Sequence, residues 1–375
     1  MPPRQTASAN RPGHTPRQSS TPHSLQSGAV NSLTPTGRDL AWLLEAPDLV
    51  RSRWGGRPTL DELGLHTRKA RHQLLLQALD PLPIATTDTH LGSLPRLGQY
   101  HEALWQFLLA TAPGTELVAH NVPIREDRRT LGELDLLYRD TAGGLIHLEV
   151  AIKYFLGLPE GPGRQDDTSR WIGPGGLDSL ALKLTHLERH QLALLSTPHR
   201  RQLLNDALAS STGHSGGAPN PPPVEDTIKA RLAMPGVLFY PWQHHMPPPR
   251  QANDHVLEGI WCHWRHWGEL CRQHDTLRFG ACLTKPHWLA PPPPTQWMPR
   301  STLSRSLAAH FATYAFPVQV MLCDDPARVE QDILAIDGGG QAAYKNAPSA
   351  LSGRRIFVVD DSWPHQVPLP PRSPA

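Results

Sequence analysis

A chain of 375 residues with 39% hydrophobic and 19% charged residues can bury one large core or two modest ones, and its formal net charge of +2 excludes a histone-like basic protein and a strongly acidic one. Four cysteines (Cys262, Cys271, Cys282, Cys323) are too few for a disulfide scaffold at this length. Forty prolines, about twice the usual share, place much of the proline in tails and linkers, so the folded part is expected to be shorter than the chain.

The first twenty residues, MPPRQTASANRPGHTPRQSS, hold no apolar stretch of the signal-peptide kind, and no run approaches the ~18 apolar residues of a membrane span. The expectation is a soluble, cytoplasmic protein. A local basic patch outweighs a near-neutral sum, so nucleic acid stays open as a partner.

Residues 1–38 have four Arg and no acidic residue among Ser, Thr, Pro and Gln, and are expected to be a disordered tail. Order is expected from Asp39. DLAWLLEAPDLV predicts a short helix, TRKARHQLLLQALD a helix stopped by Pro81, and Leu97–Ala112 a stronger one. In the last, Leu97, Tyr100, Leu104, Phe107 and Leu108 keep the helical period, and Pro113–Gly114 end it.

Two strands are predicted at Gly132–Arg139 and Leu145–Phe155. Gly157–Gly176 reads as loop. A helix capped by Asp178 is expected to run to Pro198, followed by HRRQLLNDALAS. Residues 39–209 form the expected α/β core, 210–228 a Pro/Gly/Ser linker or insertion, 229–365 an α+β region, and 366–375 a disordered tail. In the C-terminal half GVLFYPW, TLRFGACLT, PVQVMLC and RRIFVVD are strand candidates. EGIWCHWRHWGELCRQH reads as one Trp-rich helix, and APPPPTQWMP as a stiff loop.

The chemistry concentrates on the hairpin at 132–155. A three-residue loop, Thr141-Ala142-Gly143, puts Gly143 where such hairpins need a positive φ. Residue 140 then opposes 144, and Asp135 opposes Glu149. Leu134, Leu136, Tyr138, Leu148, Val150 and Ile152 share one face; Glu133, Asp135, His147, Glu149 and Lys153 share the other. Opposed carboxylates have Cβ atoms about 5 Å apart and repel. A divalent cation converts that repulsion into binding, and Mg²⁺ favours one or two carboxylates plus waters. The competing reading is a solvated face of an edge hairpin.

An acidic residue on a helix, an Asp-bearing strand and a partner strand reading Glu-x-x-x-Lys together resemble the PD-(D/E)XK nuclease superfamily. RLGQYHEALWQFLL, GELDLLYRD, HLEVAIKYFLG, WIGPGGLDSLALKL, HLERHQL, HWLAP and RRIFVVDDSWP resemble more closely a bacterial family known only as a domain of unknown function and grouped with that superfamily. The likeness spans roughly residues 40–365, interrupted at 210–223. It implies an α/β fold: a restriction-endonuclease-like core with a central mixed sheet flanked by helices, plus a C-terminal α+β extension.

The resemblance further implies that Asp135 and Glu149 are a metal-binding pair for Mg²⁺ or Mn²⁺, that Glu102 is the upstream acidic position, and that Lys153 is the motif lysine. The usual pattern is Glu-x-Lys, and here Ala151 stands in the second place. On an extended strand Lys153 lies about 13 Å from Glu149, so Lys183 on the following helix is a second candidate. Lys183 shares a helical face with His186 and His190. Gln191 interrupts the stripe Leu180, Leu184, Leu187, Leu194 and is expected to bond to backbone, with substrate as the other partner considered. Arg164, Arg170 and the Arg68-Lys69-Arg71 cluster are candidates for phosphate contacts, or plain surface charge.

The implied activity is metal-assisted phosphodiester hydrolysis on nucleic acid. The alternative is a catalytically inactive nuclease-like module binding nucleic acid or protein, which the displaced lysine motivates. Two further readings concern the Trp-rich segment. Cys262, His263, His266, Cys271 and His274 are zinc-type ligands without C-x-x-C spacing. Trp261, Trp264 and Trp267 suit base stacking or, at three-residue spacing on a helix, core packing. There is no G-x-x-x-x-G-K-[ST] phosphate loop and no G-x-S-x-G elbow.

Overall fold

The computed structural model describes residues 33–78, 80, 82, 96–212, 228–334 and 353–368. Of the expected tails at 1–38 and 366–375, residues 1–32 and 369–375 lie outside the described residues, as does most of the expected linker.

Helix α1 (Pro35–Glu45) begins four residues before the expected onset of order. Its start is written in the sequence: Thr34 caps it by accepting from the Gly37 amide at 3.0 Å, and Pro35 occupies the first turn. Helices α2 (Arg68–Leu76) and α3 (Leu97–Thr111) follow. Tyr100, Leu104 and Leu108 of α3 are buried as their spacing predicts, whereas Phe107 is only half-buried.

Four strands form the first sheet: β1 (Thr115–Glu126), β2 (Arg129–Asp140), β3 (Leu145–Val150) and β6 (Lys229–Ala233), in the order β1-β2-β3-β6. The first two pairings are antiparallel and β3–β6 is parallel. The hairpin register is the predicted one: Leu136 faces Leu148, Asp140 and Gly144 pair at the turn, and Gly143 has φ +81°. β1 was not expected. Its apolar alternation is interrupted by a bulge at Leu117–Ala119 and by a left-handed Asn121 (φ 50°).

The second sheet has eight strands: β4 (Lys153–Gly157), β5 (Trp171–Ile172), β7 (Gly236–Pro241), β8 (Leu257–His263), β9 (Phe279–Cys282), β10 (Met298–Pro299), β11 (Val318–Cys323) and β12 (Arg354–Val359). Their order is β10-β9-β11-β12-β8-β7-β4-β5, with the run β12-β8-β7-β4 parallel throughout. Helices α4 (Leu180–His186), α5 (Pro198–Thr212), α6 (Trp267–Gln273), α7 (Arg300–Phe311) and α8 (Pro326–Leu334) complete the eight helices among the described residues. The fold is mixed α/β with two mixed sheets. Strands from both sides of residues 210–228 share both sheets, so that segment does not separate one sheet from the other.

The expected strand 145–155 is two strands. At Ala151 and Ile152 the chain leaves the first sheet and enters the second. The amides still pair, Ala151 with the Ala233 carbonyl at 2.9 Å and Lys153 with that of Pro235 at 3.3 Å, so the crossing leaves neither donor unsatisfied. The expected helix at 257–274 is β8, a short 3-10 turn (Trp264–His266) and α6. β8 is sandwiched between β7 and β12, so alternate residues enter opposite clusters. Trp261 joins the core that contains Phe239 and Phe357, and Cys262 joins the one that contains Leu270 and Trp267.

That main core is aromatic at its centre. Phe239 and Phe357 meet edge to face at 4.6 Å, and burying each such ring stabilises by roughly 1.5–3 kcal/mol. Buried Arg38 donates to the carbonyls of Pro291 and Pro292, both at 3.1 Å, and pairs with Glu330. The proline-rich loop supplies acceptors and no competing amides there, which fixes α1 against the C-terminal half. No helix among the described residues is long and apolar enough to cross a membrane.

Candidate functional site

The hairpin register places Asp135 of β2 across from Glu149 of β3. Asp135 Oδ2 accepts from the Val150 amide at 2.9 Å, and each of the two carboxyl groups perturbs the proton affinity of the other. Glu149 is fully buried and Asp135 is partly exposed, so the pair is not the solvated edge face weighed above. The first sheet is covered on this side. Leu137 and Leu145 flank the pair and pack against Leu194, Leu195 and Leu204, which come from α5 and the segment before it.

The second layer of the site comes from α4 and its continuation. Ser179, not the expected Asp178, caps α4 by accepting from the Leu182 amide at 3.2 Å. Asp178 instead takes the Lys153 ammonium at 2.6 Å. After His186 the helix widens into one π turn, Leu187–Gln191, closed by the Leu192 amide on the Leu187 carbonyl at 2.9 Å. Eight residues of regular helix would leave Gln191 about 80° away from Lys183. The wide turn absorbs most of that angle and brings both onto one face, as π turns at functional sites commonly do.

Gln191 Nε2 donates to Glu149 Oε1. Gln191 Oε1 accepts from Lys183 Nζ at 3.1 Å and meets His186 Nδ1 at 2.9 Å. The expected backbone partner of Gln191 is therefore replaced by a carboxylate, because the π turn aims the amide at β3. Glu149 Oε2 is buried without a hydrogen-bond partner and lies 3.5 Å from His147 Nε2.

Burial dominates the electrostatics. It pushes Glu149 up to about 7 and Asp135 well above the usual carboxylate range, the neighbouring Glu149 charge adding to the latter. Glu102 of α3 is raised first by burial and then by Asp135. Lys183 is lowered by burial, against the pull of Glu149. Buried His147 is driven down to about 4 and stays neutral. Burial holds the protons of the pair to a higher pH than ordinary carboxyls keep theirs, against the pull of Lys183.

The structure thus brings together Asp135, Glu149, Glu102, Lys183 and Gln191. It does not bring Lys153 to Glu149: the strand break at Ala151–Ile152 turns it toward Asp178. Arg170 is buried and donates to the carbonyls of Leu158, Gly161 and Pro162, which occupies its guanidinium inside the protein. Arg71 is likewise buried on the carbonyls of Leu65 and His66. Arg164 forks onto Asp166 at 2.8 and 3.2 Å. Asn121 escaped notice in the sequence. Its amide reaches Glu133 at 3.3 Å and Glu102 at 3.5 Å, and the left-handed backbone that aims it there is one Asn tolerates. An Asn before Val-Pro inside a strand was its only signal.

Among the described residues no group of three or more His, Cys, Asp or Glu side chains is placed to hold one metal ion, so Glu102 is not a third ligand in this arrangement. The two-carboxylate set still suits a hard cation. Its donors are oxygens, Glu149 Oε2 is buried without a partner, and Mg²⁺ asks for only one or two carboxylates beside its waters. The zinc reading gains no support: Cys262 sits on β8 and Cys271 on α6, and among the described residues no three such side chains are placed to hold one ion. Of the tryptophans, Trp267 is buried and Trp264 stacks on Phe311 at 5.4 Å, whereas Trp261, its indole N–H on the Gly157 carbonyl at 2.9 Å, lines a cavity at the end of β8.

Among curated proteins and among solved structures, none matches the chain. One family model does, over residues 38–333, which takes in the first sheet, all of the second but β12, and every residue of the carboxylate cluster. The chain belongs to the family described as a domain of unknown function, DUF1853.

Proposed function

We propose that this protein is a metal-dependent phosphodiesterase acting on nucleic acid, with a centre of the PD-(D/E)XK kind. The observation that carries the reading is the facing pair Asp135–Glu149, Glu149 fully buried, with Lys183 held beside it through Gln191.

Asp135 and Glu149 would hold Mg²⁺ or Mn²⁺. Bound there, the ion would supply a water of lowered pKa and would neutralise charge on the scissile phosphate. Gln191 orients the Glu149 carboxylate, and Lys183 offers a cation to the developing phosphate charge. Lys183 takes the place that the resemblance gives to Lys153. The lowered pKa of Lys183 marks a partly desolvated ammonium, where electrostatic stabilisation is stronger than in water. Glu102 and Asn121 line the approach and tune the charge of the pair.

The second reading, a nuclease-like module without catalysis, is favoured by one observation: Glu149 already spends Oε1 on Gln191, and among the described residues no third acidic ligand is placed with the pair to hold one ion.

The test is incubation of the purified chain with circular single-stranded DNA, duplex DNA and RNA, with Mg²⁺, Mn²⁺ or EDTA, beside a D135N/E149Q double variant. Cutting that needs metal and is lost in the variant is the expected result. No cutting on any substrate, with no metal binding by calorimetry, overturns the proposal in favour of the inert module.

A further inference from the structure

A cavity of about 390 Å³ lies apart from the carboxylates. It opens at the carboxyl ends of the four mutually parallel strands of the larger sheet. Its walls are the residues that follow β4 (Leu158–Glu160), the end of β7 and the turn after it (Pro241–His244), the end of β8 and the turn after it, and Trp363–Pro364 beyond β12. In sheets of this kind ligands bind in the crevice outside the carboxyl ends of the strands, where loops from several strands converge and no side chain is needed for the ladder. The volume is in the range of small-molecule pockets, about 300–1,000 Å³.

The lining chemistry selects the ligand. Trp261 and Trp363 meet at 4.8 Å and 64°, and each has spent its indole N–H on a carbonyl, Gly157 at 2.9 Å and Pro174 at 2.8 Å. Those bonds fix both rings and leave only carbon surface facing the cavity. Trp242 and His266 add a second ring pair at 6.2 Å. The mouth carries both signs: Glu160 lines it beside Arg265, and Arg265 Nη1 lies 3.8 Å from Asp361 Oδ1. Arg265 is held by Asp361, its backbone amide on Oδ1 and its Nη1 on the carbonyl, both at 2.8 Å, while 48% of its side chain stays exposed. Rigid aromatic walls take a planar ring, and an anchored, exposed guanidinium beside them takes a phosphate.

We propose that this cavity is a nucleotide-binding site, with the base among Trp242, Trp261 and Trp363 and the phosphate at Arg265. The ligand is a free nucleoside monophosphate or the terminal nucleotide of a strand. Trp363 also ties the cavity to the Gly173–Asp178 loop that leads into α4, so a strand end bound here would lie against the element that carries Lys183. The site does not depend on the carboxylate pair being catalytic.

Titration calorimetry of the full chain with AMP, GMP, CMP, UMP, inorganic phosphate and a 5′-phosphorylated single-stranded oligonucleotide tests it. At least one monophosphate or the oligonucleotide should bind with a Kd below about 1 mM, and R265Q, a change at an exposed side chain, should weaken it about tenfold or more. H266A should weaken it too, D135N should leave it unchanged, and phosphate alone should bind far more weakly. An R265Q-sensitive monophosphate identifies the free nucleotide as the ligand. R265Q-sensitive binding of the oligonucleotide alone identifies the strand end. No binding by either class, binding indifferent to R265Q, or binding lost in D135N instead would overturn the proposal, the last by placing the nucleotide at the carboxylates.

Discussion

Gln191, at the end of the π turn, donates its side-chain amide to Glu149, on the buried strand β3, and so joins the helical layer to the sheet at the most desolvated charge of the site. The same Gln191 oxygen receives Lys183 and meets His186. One amide therefore sets the position of a carboxylate and of the cation opposite it. Replacing it by Ala in Q191A leaves Glu149 Oε1 without a donor inside the protein. The expected loss is about 1–3 kcal/mol of unfolding free energy, together with a further rise in the Glu149 pKa. Urea unfolding and a carboxyl titration by NMR would check both, and unchanged stability would mean that water replaces the amide.

The carboxyl pair should make folding stability fall with rising pH. Glu149 is raised from 4.5 to about 7, so between those values the folded state holds a proton that the unfolded state has lost. Stability is then lost as pH rises through that window, on the order of 3 kcal/mol at full effect, and Asp135 acts in the same direction. His147, lowered to about 4, and His101, lowered to about 3, act oppositely: the unfolded chain takes up protons there below about pH 6.5, so their contribution grows as pH rises. The difference between wild type and E149Q isolates the carboxylate. E149Q should gain relative stability from pH 5 to pH 7.5, and Mn²⁺ at pH 8 should raise the wild-type Tm and not that of E149Q. Parallel pH curves for the two proteins would contradict the assignment.

The two lysines should separate cleanly. Lys153 is committed to Asp178 in a partly exposed pair, worth about 0–1 kcal/mol, whereas Lys183 stands at the carboxylates. If the protein cleaves phosphodiesters, K183M should lower kcat about 10²–10³-fold and K153M by only a few-fold. The reverse order would return the motif lysine to β4.

How far the sequence reaches is clear from this hairpin. Gly143 and the alternation around it fix the register of Asp135 and Glu149, because turn geometry and side-chain period are local properties. The sheet switch at Ala151–Ile152 is invisible locally: LEVAIKYF is apolar and β-forming throughout, and only the pairing of β4 with β7 breaks it. β8 misleads for a related reason. Trp261, Trp264 and Trp267 repeat every three residues like a helix, yet a strand buried on both faces has no polar alternation to betray it. Gln191 was visible as a polar break in a leucine stripe, but its partner depended on one wide turn that no spacing rule announces.

A second pH-dependent contact lies far along the chain from this hairpin. Asp39 of α1 accepts from the Tyr100 hydroxyl at 2.8 Å and the Ala290 amide at 2.9 Å, and pairs with His287 Nδ1 at 2.7 Å. Burial lowers the His287 pKa, but the Asp39 carboxylate more than offsets it and the net shift is upward. A raised histidine contributes its stability fully below its unfolded value of about 6.5 and loses it as pH rises through the folded value. H287A should therefore be most destabilised relative to wild type near pH 6, with the gap narrowing toward pH 8.5. D39N, which removes a charge-assisted acceptor from two donors and an imidazolium, should cost about 2–5 kcal/mol at pH 6. A gap between H287A and wild type that widened with pH would show that His287 binds Asp39 as the neutral ring.

The π turn itself is open to a paired test. Each regular helical residue turns the chain by about 100°, so a residue added inside Leu187–Gln191 rotates Gln191 away from Glu149, while one removed lets the turn close as ordinary helix. Seven regular steps from Lys183 bring the Gln191 side chain to within about 20° of the Lys183 face, near where the wide turn already puts it. Deletion of the exposed Glu188 should therefore preserve the Gln191–Glu149 contact and the stability that goes with it. Insertion of one alanine after Glu188 should match Q191A in stability and in the pH dependence of Glu149. Both variants keep Leu180 and Leu184 in the core, so circular dichroism should report a folded protein in each case. Equal damage from deletion and insertion would mean that the turn is set by the packing of Leu187 and Leu192 rather than by the need to deliver Gln191.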